Sequence, residues 1–123
     1  MRTIETEKAP AALGPYSQGT VAGNLVFTAG QIPVDPSTGK IPETVEAQAR
    51  QAFANVKAIL ESAGAASIAN VNLFLKDMND FAAVNAVYAE FFGKPYPART
   101  CVEVSGLPKG ALLEVAAVGI VEQ

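Results

Sequence analysis

The chain has 123 residues, of which 50% are hydrophobic and 17% charged, and a formal net charge of −3. It contains no histidine and a single cysteine, which excludes a Ser-His-Asp triad, a typical zinc site and an internal disulfide. Lys and Arg are scattered without a basic stripe, so we expect no nucleic-acid partner.

The length indicates one domain spanning residues 1–123. The first ten residues lack the apolar run of a signal peptide, and the longest apolar run is too short to cross a membrane. A lone cysteine fits a reducing, cytoplasmic compartment. The high apolar content at low charge indicates that other subunits cover part of the surface.

The N-terminal part predicts three short strands and one tight turn. Gly23-Asn24 is typical of a two-residue hairpin turn. Gly30, just after the third strand, indicates either a close backbone approach to a ligand or a simple strand end. The predicted strands are Arg2–Glu5, Ser17–Val21 and Leu25–Ala29.

Two helices follow a proline-rich loop. The first is predicted over Thr44–Ala63, where apolar residues recur at spacings of three and four, and Gly64 is its C-terminal cap. Val71–Leu75 predicts a strand. The second helix is predicted over Asp80–Phe92, with Asn79 or Asp80 as its cap.

The segment from Pro97 to Val121 predicts two strands. In the first, Arg99, Cys101 and Glu103 share one side because strand side chains alternate. The second, Leu112–Val121, is apolar throughout except for Glu114, which is typical of a strand buried on both faces. If the two strands are neighbours, a guanidinium, a thiol and a desolvated carboxylate lie close together.

Each of these polar side chains has a structural alternative. Arg99 is either a salt-bridge residue or a bidentate carboxylate binder. Glu114 is either an ion-pair partner of Arg99 or Lys109, or a functional carboxylate. Cys101 is favoured as a small buried side chain, and Glu103 competes with Glu114 for the carboxylate role.

Three further side chains are open to a functional or a packing role. Tyr16 follows a Gly-Pro turn and is a candidate rim residue, whereas Asn85 and Tyr88 lie on the second helix. The predicted order is β-β-β-α-β-α-β-β, which indicates an α+β fold with a mixed β-sheet and two helices packed on one face.

The chain resembles the Rid (reactive intermediate deaminase) family, in its RidA subgroup. The resemblance covers nearly the whole sequence in the family's order. It is carried by the stretches APAALGPYSQG, VFTAGQIP, QARQAFANVKAILESAG, LKDMNDFAAVNAVYAEFF and PARTCVEVSGLPKGALLEVAAVG.

The resemblance implies a chorismate-mutase-like fold and a homotrimer with active sites in the clefts between subunits. It also implies cofactor-independent and metal-independent hydrolysis of 2-imino acids, such as 2-iminobutanoate and 2-iminopropanoate, to 2-keto acids and ammonia. By this resemblance Arg99 binds the substrate carboxylate and Glu114 holds the attacking water. Residues expected to line the site are Tyr16, Ala29, Gly30, Asn85 and Cys101.

Two departures from the family pattern are visible. Ala29 stands where many RidA members have serine, which removes a hydroxyl from the expected pocket. The segment between Gly64 and Lys76 is about two residues shorter, and because an even deletion keeps strand parity we expect a trimmed loop.

The alternative to an enzyme is a non-catalytic binding module that uses the same cleft. A ribonuclease fits poorly with a chain that lacks histidine and is net negative.

Overall fold

The protein is described by a computed structural model over residues 1–122, in which two helices cover one face of a six-stranded mixed sheet. The strand order is β1-β2-β3-β6-β4-β5; β4 and β5 are parallel and the other neighbours antiparallel. The predicted α+β class and element order are confirmed. The elements are β1 (Arg2–Ile4), β2 (Gly19–Ala22), β3 (Leu25–Thr28), α1 (Val45–Ser62), β4 (Ser67–Leu75), α2 (Phe81–Phe91), β5 (Ala98–Glu103) and β6 (Leu113–Ile120).

The predicted hairpin between β2 and β3 is confirmed. Ala22 pairs with Leu25, which leaves Gly23-Asn24 as the two-residue loop. Strand β2 begins later than predicted because Gln18 holds the preceding loop instead. The buried Gln18 amide donates to the carbonyls of Thr6, Ala9 and Pro10.

Helix α1 ends at the predicted Gly64 cap, whereas Thr44, the predicted first residue of the helix, is its N-cap. The Thr44 hydroxyl accepts a hydrogen bond from the Ala47 backbone N–H at 3.1 Å. At the other end, Gly64 takes a left-handed φ of +79°, and the Ala65 N–H reaches back to the Leu60 carbonyl at 3.0 Å. This is a Schellman motif, which ends the helix and turns the chain toward β4.

Strand β4 is longer than predicted. It starts at Ser67 rather than Val71 and pairs with both β5 and β6. The added part, Ser67 to Asn70, contains two polar residues, and a register shift between Ile68 and Asn70 breaks the alternation that identifies a strand. Val71 faces the core, as expected if the short preceding connection is a trimmed loop.

The start of α2 differs from the prediction. Asp80 makes no capping hydrogen bond through its side chain. Instead, Asp77 caps a 3-10 turn over Met78–Asp80 by accepting from the Asn79 N–H at 2.8 Å. The helix proper therefore begins at Phe81, directly after that turn.

The two faces of the sheet have different surroundings. One face packs against α1 and α2 through fully buried side chains, such as those of Val26, Leu73 and Val115. We call the opposite face, which neither helix covers, the open face. Strand β6 therefore alternates between buried and half-buried positions, and the expectation that both its faces are buried is wrong for the single chain. The apolar side chains of the open face are Ala22, Leu25, Phe27, Phe74, Ala98, Val102, Ala116, Val118 and Ile120.

Candidate functional site

The candidate residues form two groups on opposite faces of the sheet. Strands β5 and β6 are not neighbours, because β4 lies between them. Arg99 pairs with Val71, whose side chain is buried beneath the helices, so Arg99 lies on the helix side. Glu114 pairs with Phe74 and lies on the open face. The proximity that adjacent strands would have produced is therefore absent within one chain.

The separation of these groups follows from sheet geometry. Glu114 and Val102 lie on either side of Phe74, and Val102 is three residues from Arg99. Two strand spacings of about 4.8 Å and three residues of about 3.3 Å place the two Cα atoms roughly 14 Å apart. With side chains that point to opposite faces, one small molecule cannot contact both within a protomer.

The first group surrounds the Arg99 guanidinium. Its Nη1 donates to the Asn85 Oδ1 at 2.7 Å. Its Cζ lies 4.7 Å from the ring centroid of Tyr88 and 5.6 Å from that of Phe81. A guanidinium has five N–H donors, so the bond to Asn85 leaves others for a ligand.

Cys101 lies beside Arg99 on the same face of β5. Burial raises the pKa of the Cys101 thiol, and the positive charge of Arg99 partly offsets that increase. The side chain is half-buried and packs against the apolar core. A thiol with a raised pKa is a weak nucleophile, which agrees with the favoured role as a small packing residue.

Glu103, the competing carboxylate, is engaged elsewhere. Its Oε1 accepts a hydrogen bond of 2.8 Å from the backbone N–H of Met78, at the turn that precedes α2. The carboxylate thus holds that turn against β5 and is not paired with Arg99.

The second group centres on Glu114. Its carboxylate packs against the backbone of Gly30, where a β-carbon on residue 30 would overlap Glu114 Oε2 and lie 2.9 Å from its Cδ. Residue 30 must therefore be glycine if the carboxylate is to keep this position. Two backbone hydrogen bonds between Gln31 and Val115, of 2.7 and 3.0 Å, maintain the close approach.

Glu114 is partly desolvated, and burial raises the pKa of its carboxyl group above the ordinary value of 4.5. Within residues 1–122 the ion pair found is between Arg50 and Glu90, at 3.5 Å. The structural alternative, an ion pair with Arg99 or Lys109, is therefore wrong for the single chain. A carboxylate with a raised pKa and no cationic partner among residues 1–122 is a stronger base than an ordinary glutamate.

Tyr16 and Gly30 line a common cavity of about 210 Å³, together with Lys109. The Tyr16 hydroxyl accepts a hydrogen bond from the Leu13 N–H at 3.1 Å, which folds this rim loop on itself. Ala29 is half-buried at the end of β3 and donates its N–H to the Gln18 carbonyl at 2.8 Å. Tyr16, Ala29 and Gly30 thus belong with Glu114 rather than with Arg99.

Two buried amides on α1, missed in the sequence, position this second group. Asn55 is fully buried and donates to the carbonyls of Ile32 and Val34 at 3.3 and 3.0 Å. Gln48, seven residues earlier on the same helix face, accepts from the Leu112 N–H at 2.9 Å. Both amides therefore tie α1 to the segments that carry Gly30 and Glu114. In the sequence, the only indication of these two residues was their spacing of seven positions beside the apolar stripe of the helix.

No cluster of three or more His, Cys, Asp or Glu side chains suited to a metal ion occurs among residues 1–122. In the same part of the chain, neither α1 nor α2 combines the length and apolarity of a membrane-spanning helix.

Comparison with known proteins identifies close relatives over nearly the full length. Residues 6–121 match the family described as Endoribonuclease L-PSP. The chain is 56% identical to a RutC family protein of Haemophilus influenzae, over 95% of each chain. It is 52% identical to the 2-iminobutanoate/2-iminopropanoate deaminase of Escherichia coli K12, over 97% of each. The crystal structure of E. coli TdcF with bound serine superposes with a TM-score of 0.95 at 47% identity, covering 99% of this chain and 100% of that one.

Proposed function

This chain belongs to the Endoribonuclease L-PSP family, which includes the YjgF and RidA proteins, and from this premise we propose that it is a hydrolytic deaminase of 2-imino acids. The proposed substrates are 2-iminobutanoate and 2-iminopropanoate with their enamine tautomers, and the products are 2-keto acids and ammonia. The proposal places the enzyme in the cytoplasm as one RidA-type domain over residues 1–123. The observation that carries it is Glu114, a carboxylate with a raised pKa held against Gly30.

The chemistry assigned to Glu114 is general base and then general acid catalysis. The carboxylate accepts a proton from water as the water oxygen bonds to the imine carbon. That proton passes to the nitrogen to give a carbinolamine. The carboxylate then accepts the proton of the carbinolamine hydroxyl and delivers it to the nitrogen, so that ammonia leaves as the C–N bond breaks and the keto group forms. A raised pKa favours both steps, because proton exchange is most efficient when the pKa is close to the working pH. An imine carbon is already electrophilic, so the scheme needs neither a metal nor a cofactor.

We assign to Arg99 the role of binding the substrate carboxylate. Its guanidinium presents a planar set of donors that matches a carboxylate in a bidentate arrangement. Asn85 and Cys101 adjoin it on the same side of the sheet, and Tyr16, Ala29 and Gly30 are proposed to line the cleft beside Glu114. Fixing the substrate in this way brings water to the imine carbon at a productive distance.

The proposed active unit is a homotrimer in which each site lies between two subunits. Arg99 and Glu114 cannot meet within one protomer, because they lie on opposite faces of the sheet. The open face supplies a surface for a second copy, since Leu25, Phe27 and Val102 are more than a third exposed there. A cleft between two copies would bring Arg99 of one chain to Glu114 of another.

A coupled assay tests this function. A threonine dehydratase generates 2-iminobutanoate, semicarbazide competes for the imine, and the protein is added or withheld. We expect the wild type to divert imine to 2-ketobutyrate, and Arg99→Ala to lose about 100-fold or more in kcat/KM, because a carboxylate loses its charged partner. Arg50→Ala, an exposed arginine on α1, is the matched control and should retain activity.

Failure of the wild type to accelerate imine loss, or full activity in Arg99→Ala, would contradict the deaminase. The second candidate is a non-catalytic small-molecule module, favoured by the bound serine of the TdcF structure. Such a module would bind 2-ketobutyrate without accelerating imine decay. A nuclease would require RNA cleavage that disappears in Arg99 or Glu114 variants.

A further inference from the structure

Three side chains on one face of α2 converge on the guanidinium of Arg99. Phe81, Asn85 and Tyr88 are spaced by four and three residues, so they lie along a single stripe of the helix. Asn85 accepts the 2.7 Å hydrogen bond, while the two rings lie 5.6 and 4.7 Å from Cζ. Both distances are within the range of about 6 Å in which an aromatic ring attracts a cation.

We propose that Tyr88 is a positioning residue, whose ring, together with Phe81 and Asn85, holds Arg99 in the orientation that meets the substrate carboxylate. The inference rests on the proposed function of Arg99 as the carboxylate binder. A long arginine side chain on an edge strand has many rotamers, and binding a carboxylate in a bidentate manner requires one of them. Restricting the guanidinium before the substrate arrives strengthens binding.

The ring of Tyr88, not its hydroxyl, carries this role. The hydroxyl is buried and has no hydrogen-bond partner among residues 1–122. Burial raises the pKa of Tyr88, and the charge of Arg99 only partly offsets it, so the phenol stays neutral. The ring is itself fixed by edge-on contact with Phe53 at 5.7 Å and by a tilted contact with Phe92 at 4.4 Å.

The test compares Tyr88→Phe, which keeps the ring, with Tyr88→Leu, which removes it. Steady-state KM and kcat for 2-iminobutanoate are measured together with the dissociation constant of 2-ketobutyrate. Tyr88→Leu should raise KM and the dissociation constant roughly 3- to 30-fold with little change in kcat, as expected for loss of a cation–π contact. Tyr88→Phe keeps the ring, so its KM and its dissociation constant should stay near the wild-type values.

Phe91→Leu is the control, because it makes an aromatic-to-leucine change on the same helix at a ring that lies against Phe53 and below Lys57 rather than below Arg99. It should lower stability and leave KM unchanged. If Tyr88→Leu does not fold, Phe81→Leu removes the second, half-buried ring and should raise KM in the same direction.

The inference is overturned if Tyr88→Leu and Phe81→Leu bind the keto acid as well as the wild type, or if Phe91→Leu raises KM equally. A wild type that binds 2-ketobutyrate without turning over imine refutes the deaminase alone, and the binding constants still test the role of Tyr88. A wild type that neither turns over imine nor binds the keto acid refutes both.

Discussion

Glu114 shows how one physical cause has two effects at the scale of a residue. Partial burial disfavours the ionised carboxylate, which raises its pKa and prepares it for proton transfer. The same desolvation penalises the folded state whenever Glu114 is ionised. Activity and stability should therefore respond to pH in opposite directions.

For activity, kcat/KM should fall as pH decreases through the raised pKa of Glu114, because the protonated carboxyl group cannot accept a proton from water. We expect Glu114→Gln to lower kcat about 100- to 10,000-fold, the usual range for a general acid or base. A pH–rate profile of the wild type checks the first expectation. An acid limb that lies at or below 4.5 would show that the residue controlling activity is not a Glu114 with a raised pKa.

For stability, the folded chain retains the Glu114 proton at pH values where the unfolded chain has lost it. Between 4.5 and the raised pKa, the free energy of unfolding should therefore decrease as pH rises. Thermal melting of Glu114→Gln should match the wild type at low pH and exceed it at pH 8. Glu61→Gln, an exposed position on α1, is the control and should show no such divergence.

At the scale of an element, α1 both covers the sheet and positions the site. Its apolar stripe packs in the core through residues such as Phe53 and Val56. Its buried amides, Gln48 and Asn55, hydrogen-bond to segments that carry no regular structure of their own. Through these hydrogen bonds the helix restrains the loop that approaches Glu114.

Removing the Asn55 amide should expose this dependence. Asn55→Ala leaves the Val34 carbonyl without the amide donor and the Ile32 carbonyl with only the Val34 N–H, and it should lower the free energy of unfolding by about 1–3 kcal/mol. Urea denaturation measures the loss. The matched control is Ala54→Ser, at the exposed neighbour of Asn55. We expect its free energy of unfolding to remain within about 0.5 kcal/mol of the wild-type value. Equal midpoints for Asn55→Ala and Ala54→Ser would refute the anchoring role.

At the scale of the whole molecule, the sheet separates the two halves of the proposed site. Its helix side carries Arg99, and its open face carries Glu114 within an apolar surface. A site that uses both would therefore require two chains, as in the proposed trimer.

Mixing inactive chains tests this arrangement. Arg99→Ala and Glu114→Gln are each expected to be inactive alone, but a trimer refolded from equal amounts of both contains some clefts with two intact residues. In a cyclic trimer with random mixing, about one quarter of the clefts qualify, so about a quarter of wild-type activity should return. Refolding Arg99→Ala with a second batch of itself is the control. No recovery in mixed trimers would place both residues in the same chain's site.

Local signals in the amino-acid sequence were sufficient to predict the element order, the capped helix α1, the β2–β3 hairpin and the family. The signals are apolar periodicity, a Gly-Asn turn and a Gly64 cap. Each is encoded within a few neighbouring residues, so no distant contact is needed to recognise it.

Which strands are neighbours became known only from the three-dimensional packing. Strand β4 is inserted between β5 and β6, which separates Arg99 from Glu114, and the pairing register places their side chains on opposite faces. The full length of β4, the partners of Asn55 and the ring of Tyr88 beneath Arg99 likewise depend on residues far apart in the chain. Strand order is set by how the sheet and the helices bury their apolar faces together. The alternation of apolar and polar residues within one strand does not indicate which strand lies next to it.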